Sequence, residues 1–292
     1  MKYDVCIMNP PYDNGFGNKV FDRCLDTAKS VVTIQPLSWL LAKRQHKSIT
    51  SKIDNRKTYI EVVNGNECFD AGICAHVAIT FISDESGKIH YADKVFDKCS
   101  DIKIYSHDDC LTEFANSVKF ESSLWDNVKD TQPYLHKQEL NPDDNWYCLK
   151  IPKIRGSVCP SGGKEDVDFF TIMSNNEDFV ETTKGSYKYL VSKFSKNGIA
   201  DFLYVAFDTE KELNNFIRYG KTYFMRACMM LSKTNLNLHR GCLSTVPWFD
   251  FSKEIFEKSP REIDDYLFAQ FNISEKVRNH IKKILPDYYH IL

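Results

Sequence analysis

Residues 4–12 read Asp4-Val5-Cys6-Ile7-Met8-Asn9-Pro10-Pro11-Tyr12. The run Lys2–Met8 has the β-branched and aromatic content of a short buried strand. Two prolines stop it, because each removes a backbone donor and bars helix or sheet from continuing. Asp13–Asn18 then reads as a glycine-containing loop, with Gly15-Phe16-Gly17 as a source of flexibility. Lys19–Lys29 places Val20, Phe21, Cys24, Leu25 and Ala28 at helical spacing, and Val31–Ile34 is a second buried strand ended by Gln35-Pro36. Leu37–Ile53 is expected as one helix. Tyr59–Val63 is a third strand and Asn64-Gly65-Asn66 a turn. His76–Ile82 is a fourth strand, expected to form a closing antiparallel hairpin with Ile89–Tyr91 across Asp84–Gly87. This order predicts an α/β fold with parallel strands at the start and an antiparallel strand at the end.

The chemistry follows from where Asn9-Pro10-Pro11-Tyr12 stands. Ligand sites of α/β sheets form at the carboxyl ends of strands. The exocyclic amine of adenine is a poor nucleophile because its lone pair is conjugated into the ring. An enzyme that alkylates it must hold both N–H groups with two fixed acceptors. The Asn9 side-chain oxygen supplies one. The Pro10 carbonyl, rigid between two prolines, supplies the other. Tyr12 offers a stacking face for a base taken out of the duplex, worth about 1–3 kcal/mol. The alternative is a strand-ending turn that happens to carry these four residues.

Composition narrows the class. The chain has 292 residues, 42% apolar and 27% charged, with a net charge of −2. That excludes a globally basic nucleic-acid binder, so any such partner is held by a local patch. No apolar run reaches membrane-spanning length and no signal peptide is read at the start, so a cytoplasmic location is expected. The ten cysteines include no Cys-x-x-Cys pair and read as reduced, mostly buried thiols. Cys68, Cys74 and His76 could hold zinc only at weak spacing, and no metal is expected. Ser161-Gly162-Gly163-Lys164 lacks the spacing of a phosphate-binding loop.

Residues 4–12 resemble the strand and catalytic loop of the S-adenosylmethionine-dependent N6-adenine DNA methyltransferases, in particular the methylases of type II restriction–modification systems and their phage relatives. Val31–Leu37 looks like the family's next strand and Phe69–Ile82 like its final antiparallel strand. Phe207–Arg226, Lys233–Leu236, Val246–Phe251 and Glu262–Tyr289 are similar to the tail of its target-recognition region. The resemblance implies a partial methyltransferase (Rossmann-like) sheet with an antiparallel final strand, plus an α+β target-recognition region. It implies catalytic Asn9, Pro10, Pro11 and Tyr12, S-adenosylmethionine as cofactor and double-stranded DNA as partner. The family also needs a Phe-x-Gly-x-Gly loop and an acidic residue for the cofactor, and neither is found here. The cofactor-binding residues are therefore unassigned. The cofactor half is expected from a partner subunit carrying the missing half-sheet, and the chain alone is expected not to bind S-adenosylmethionine. The alternative is an inactive methylase remnant that binds DNA or protein.

Three regions are expected: 1–95 with the catalytic loop, 96–250 for target recognition, and a helical tail over 251–292. Thr209–Leu231 reads as one long helix opened by a Thr209–Glu212 capping box. Glu262–Gln270 and Glu275–Ile284 read as a closing helical pair. Lys184, Lys188 and Lys193 alternate with Tyr187, Tyr189 and Phe194, and Arg218, Lys221, Arg226, Lys233 and Arg240 surround the long helix. Both sets suit phosphate contacts, and both also suit a solvated surface. Lys43, Arg44, His46 and Lys47 read as a solvated helix face.

Overall fold

Alternation in the first hundred residues builds a sheet, and helical periodicity covers one side of it. The computed structural model describes residues 2–11, 16–41, 47–64, 76–127, 129–130, 147–152, 171–174, 179–184, 187–192, 202–207, 209–232 and 240–285. It divides into two units, Met1–Asn116 with Leu231–Leu236, and Ser117–Met230 with Asn237–Leu292.

The first unit contains β1 (Tyr3–Met8), α1 (Phe16–Thr27), β2 (Ala28–Pro36), α2 (Ser38–Leu41), α3 (Lys47–Ile53), β3 (Arg56–Asn64), β4 (His76–Ser86), β5 (Ile89–Tyr91) and β6 (Lys94–Phe96). The six strands lie in the order β1-β2-β4-β3-β5-β6. β1 and β2 run parallel, with Met8 beside Thr33. β4 runs antiparallel to both of its neighbours, β2 and β3. β1 is therefore one edge of the sheet, and the inverted strand β4 lies inside it, between β2 and β3.

In α1 the buried residues Gly17, Phe21 and Leu25 recur every four positions, which lays one stripe of the helix on the sheet. Phe21 and Leu25 join Val31, Trp39, Ile49, Ile53, Ile60, Ile82 and Tyr91 in one apolar core. Phe21 and Trp39 meet edge to face at 5.5 Å.

Three expectations for this unit are corrected. Phe16, Gly17 and Asn18 belong to α1 and not to a loop. The single helix over Leu37–Ile53 is replaced by α2 and α3; residues 42–46, including Lys43, Arg44 and His46, lie outside the described residues. β5 does not form a hairpin with β4 but pairs parallel with β3, Tyr59 lying beside His90. The reason is topological. Both sides of β4 are already taken by β2 and β3, so the returning chain must cross to the free side of β3. The bonds Gly87 N–H to Asn55 O (3.0 Å) and Thr58 N–H to Lys88 O (3.1 Å) fix that crossing.

After α4 (Asp109–Ser117) the second unit has α5 (Leu124–Asn127), β7 (Lys129–Asp130), β8 (Tyr147–Pro152), β9 (Thr171–Ser174), β10 (Phe179–Lys184), β11 (Tyr187–Ser192) and β12 (Phe202–Phe207). A four-stranded sheet orders β7-β12-β8-β9, and β10 and β11 form a separate antiparallel pair. Then come α6 (Glu210–Gly220), α7 (Tyr223–Met230), α8 (Arg240–Leu243), α9 (Pro260–Gln270) and α10 (Glu275–Ile284).

The expected helix over Thr209–Leu231 breaks in two, although its capping box is present. Thr222 makes the break. Its hydroxyl donates to Tyr219 O at 2.6 Å and accepts from Met225 N at 3.1 Å. Asp264 on α9 then accepts from the N–H groups of Tyr223 and Phe224, each at 2.8 Å. A new helix start is capped where the first helix ends. Phe216 and Tyr219 of α6 pack on Phe251 at 5.0 and 5.6 Å. Asn215 Nδ2 donates to Phe251 O at 2.8 Å and the Tyr219 hydroxyl to Pro247 O at 3.1 Å. The Val246–Phe251 segment is thus fastened to α6 by both apolar and polar contacts.

Candidate active site

Asn9, Pro10 and Pro11 follow β1 directly, at the carboxyl end that it shares with the parallel β2. Asn9 and Pro11 are exposed while Pro10 is buried. Tyr12 lies outside the described residues. The turn is fixed from above by α1. A Cβ on Gly17 would stand 2.8 Å from the Pro11 carbonyl oxygen and 3.3 Å from Pro10 Cγ. The first turn of α1 therefore rests on the two prolines with no room for a side chain. Proline supplies the stiffness along the chain and Gly17 permits the clamp across it. Sequence reading missed this role. The signal was present in the short spacing from Pro11 to a glycine at the start of an amphipathic stretch.

The covered face of the sheet beside this turn carries unused polar groups. Thr33 and Gln35 on β2, Thr80 on β4 and Trp39 on α2 are no more than 2% exposed. Thr33 Oγ1, Gln35 Nε2, Thr80 Oγ1 and Trp39 Nε1 have no hydrogen-bond partner among the described residues. Thr33 and Thr80 are direct partners across the β2–β4 pair. Buried polar groups are ordinarily satisfied, and exceptions gather at functional sites or at ordered water. Their sequence mark is polar residues alternating inside the apolar run Val31–Pro36.

Around β1 the charges are few. Lys29 Nζ donates to Asp4 at 2.8 Å across the β1–β2 pair, and that bond holds the Asp4 carboxyl below the usual carboxylate range. Cys6 on β1 donates to the Cys24 sulfur on α1 at 3.1 Å. Burial first, and then Cys6 beside it, push the Cys24 thiol up to about 11.

The opposite face of this sheet is apolar and open. Register places Ile7, Val32, Phe81, Tyr59, His90 and Val95 side by side across all six strands. Ile7 is 79% exposed, Tyr3 74% and Val5 53% on the edge strand, and Tyr59, Ile79 and Phe81 are also exposed. Tyr59 stacks on His90 at 4.6 Å. Sheets containing parallel strands are normally covered on both faces.

The described residues among those expected to contact DNA lie on several elements. Lys184 ends β10, in register with Tyr187, and Lys188 lies in β11 opposite Thr183. Lys193 and Lys233 lie outside the described residues, and Arg240 opens α8. Arg218 is half-buried and donates to Asn215 Oδ1 at 2.8 Å. Lys221 is half-buried just after α6. Arg226 leaves the surface set. It is 2% exposed, on a helix whose residues are all buried, with its guanidinium 5.6 Å from the Tyr223 ring centre. Of the residues weighed for zinc, Cys68 and Cys74 lie outside the described residues. Among the described residues no helix is long and apolar enough to cross a membrane.

The described residues do not fit a cradle for S-adenosylmethionine. β1 ends in Asn9-Pro10-Pro11, β2 in Gln35-Pro36 and β3 in Asn64. Among the described residues, none at these ends is a glycine or carries the carboxylate that a ribose would need. No family model matches the chain, and no curated protein matches it.

Proposed function

We propose that the chain is the catalytic-loop half of a site-specific DNA adenine-N6 methyltransferase. One observation carries the reading: Asn9-Pro10-Pro11 follows an edge strand at its carboxyl end, in a sheet whose β4 is antiparallel to both neighbours. That is the arrangement the resemblance leads one to expect of half a Rossmann-like sheet. The Asn9 side-chain oxygen and the Pro10 carbonyl accept from the two N–H groups of a flipped adenine. They draw its nitrogen toward tetrahedral geometry, and Tyr12 stacks on the ring. No residue here needs to act as a general base. The proton leaves the amine only after the nitrogen has become cationic, when it is acidic enough to pass to solvent.

S-adenosylmethionine belongs, in this reading, to a complementary half-sheet that adds to the free edge of β1, on a partner subunit or on an adjoining stretch of chain. The basic residues of the second unit hold the duplex. The measurement is genomic N6-methyladenine in a cell that makes the protein. Methylation at one sequence motif, abolished by Asn9→Ala, supports the enzyme. Unchanged methylation with DNA binding retained by the purified protein supports the remnant reading. Methylation unchanged by Asn9→Ala, with no DNA binding by the purified protein, overturns both.

A further inference from the structure

The Cys6–Cys24 pair is independent of that reading. The two sulfurs are 3.1 Å apart, on different elements, and each residue is half-buried and open to small reagents. Disulfide bonds measure about 2.05 Å, so closing the pair needs an approach of about 1 Å, within reach of a side-chain rotation. The pair also brackets the candidate site. Cys6 precedes Asn9 on β1, and Cys24 lies on the same helix as Gly17, beyond the clamped prolines. We propose that Cys6 and Cys24 form a reversible redox site, closing to a disulfide that staples α1 to β1 on either side of the Asn9–Gly17 segment.

The oxidant is a peroxide. The Cys6 sulfur attacks one peroxide oxygen and the O–O bond breaks. Cys6 becomes a sulfenic acid and hydrogen peroxide leaves as water. The Cys24 sulfur then attacks the Cys6 sulfur. The S–O bond breaks, a second water leaves with the Cys24 proton, and the S–S bond forms. Two thiols have lost two electrons to one peroxide, and a dithiol reductant reverses the change by exchange. Cys6, on the edge strand β1, takes the oxidant first, and Cys24, facing it from α1, is the resolving thiol.

The test treats the full chain with equimolar hydrogen peroxide, alkylates the remaining thiols and maps peptides without reduction. The expected result is a Cys6–Cys24 cross-linked peptide, a whole-chain mass lower by two hydrogens, and restoration by dithiothreitol. The bridge closes a loop between residues 18 apart, so the oxidised chain should melt several degrees higher, by roughly 3 °C or more. Cys24→Ser, a conservative change at a half-exposed site, should abolish both the cross-link and the shift, leaving Cys6 as a lone sulfenic or sulfinic acid. Cys6→Ser should do the same for the cross-link. A bridge from Cys6 to a third cysteine, over-oxidation of Cys6 in the unaltered chain, or no reaction at either thiol would each overturn the proposal.

Discussion

Gly17 is the residue at which general propensity and local packing give opposite signs. Glycine inside a helix ordinarily costs about 1 kcal/mol relative to alanine, so Gly17→Ala would be expected to stabilise α1. Here the new Cβ would meet a backbone oxygen at 2.8 Å, and backbone cannot swing aside as a flexible side-chain tip can. Overpacking of this kind costs about 1–3 kcal/mol, which outweighs the propensity gain. Gly17→Ala should therefore lower the urea midpoint, with the m-value unchanged; a raised midpoint would show that the clamp is loose. The neighbouring prolines were legible because their constraint is covalent. The glycine was not, because its constraint comes from another element. Arg226 makes the same point. Its charge suggested surface, but burial is decided by what packs around α7 and not by residue type. The open groups of Thr33, Gln35 and Thr80 were hidden for a related reason: polar residues in a strand read as its wet face, whereas here they lie on the covered one.

Elements with sharp local signals were read correctly from the chain. The expected capping box of Thr209 and Glu212 opens α6, and α10 spans the expected Glu275–Ile284. The break between α6 and α7 was not read, since apolar spacing continues through Gly220, Lys221 and Thr222. What ends one helix and starts the next is a long-range contact. Asp264, 1% exposed, supplies its two oxygens to the first N–H groups of α7 from a helix some forty residues on. Losing that carboxylate leaves two buried donors without it, at about 1–3 kcal/mol each. Asp264→Ala should destabilise the protein by about 3 kcal/mol in equilibrium urea unfolding. Asp264→Asn, which keeps one acceptor oxygen, should cost roughly half of that. Equal losses for both variants would mean that the charge, and not the cap, is what matters. Strand pairing failed in the same way at β5: the turn after β4 was visible in sequence, but the occupancy of both its flanks was not.

At the scale of the first unit, one face of the sheet is a core and the other is an apolar surface ending in an unpaired edge. Alternating apolar residues told that β1, β2 and β4 were strands. They could not tell that only one of the two apolar faces would be covered, because Val32 and Ile34 look no different in sequence from Val31. An exposed apolar edge is an association hazard unless something docks on it, and the proposed function assigns the complementary half-sheet to that place. Val5 and Ile7 are mostly exposed, so replacing them with lysine removes little burial and should leave stability within about 0.5 kcal/mol. Lysine on an edge strand also repels strand addition. The double variant Val5→Lys, Ile7→Lys should therefore unfold at the wild-type urea midpoint, lose the concentration-dependent association expected of wild type in sedimentation velocity, and fail to support motif-specific adenine methylation in the cell. A collapse of the midpoint would show that these side chains are packed in the isolated chain. Wild-type methylation by a stable variant would remove the β1 edge from the assembly and require the cofactor half to dock elsewhere.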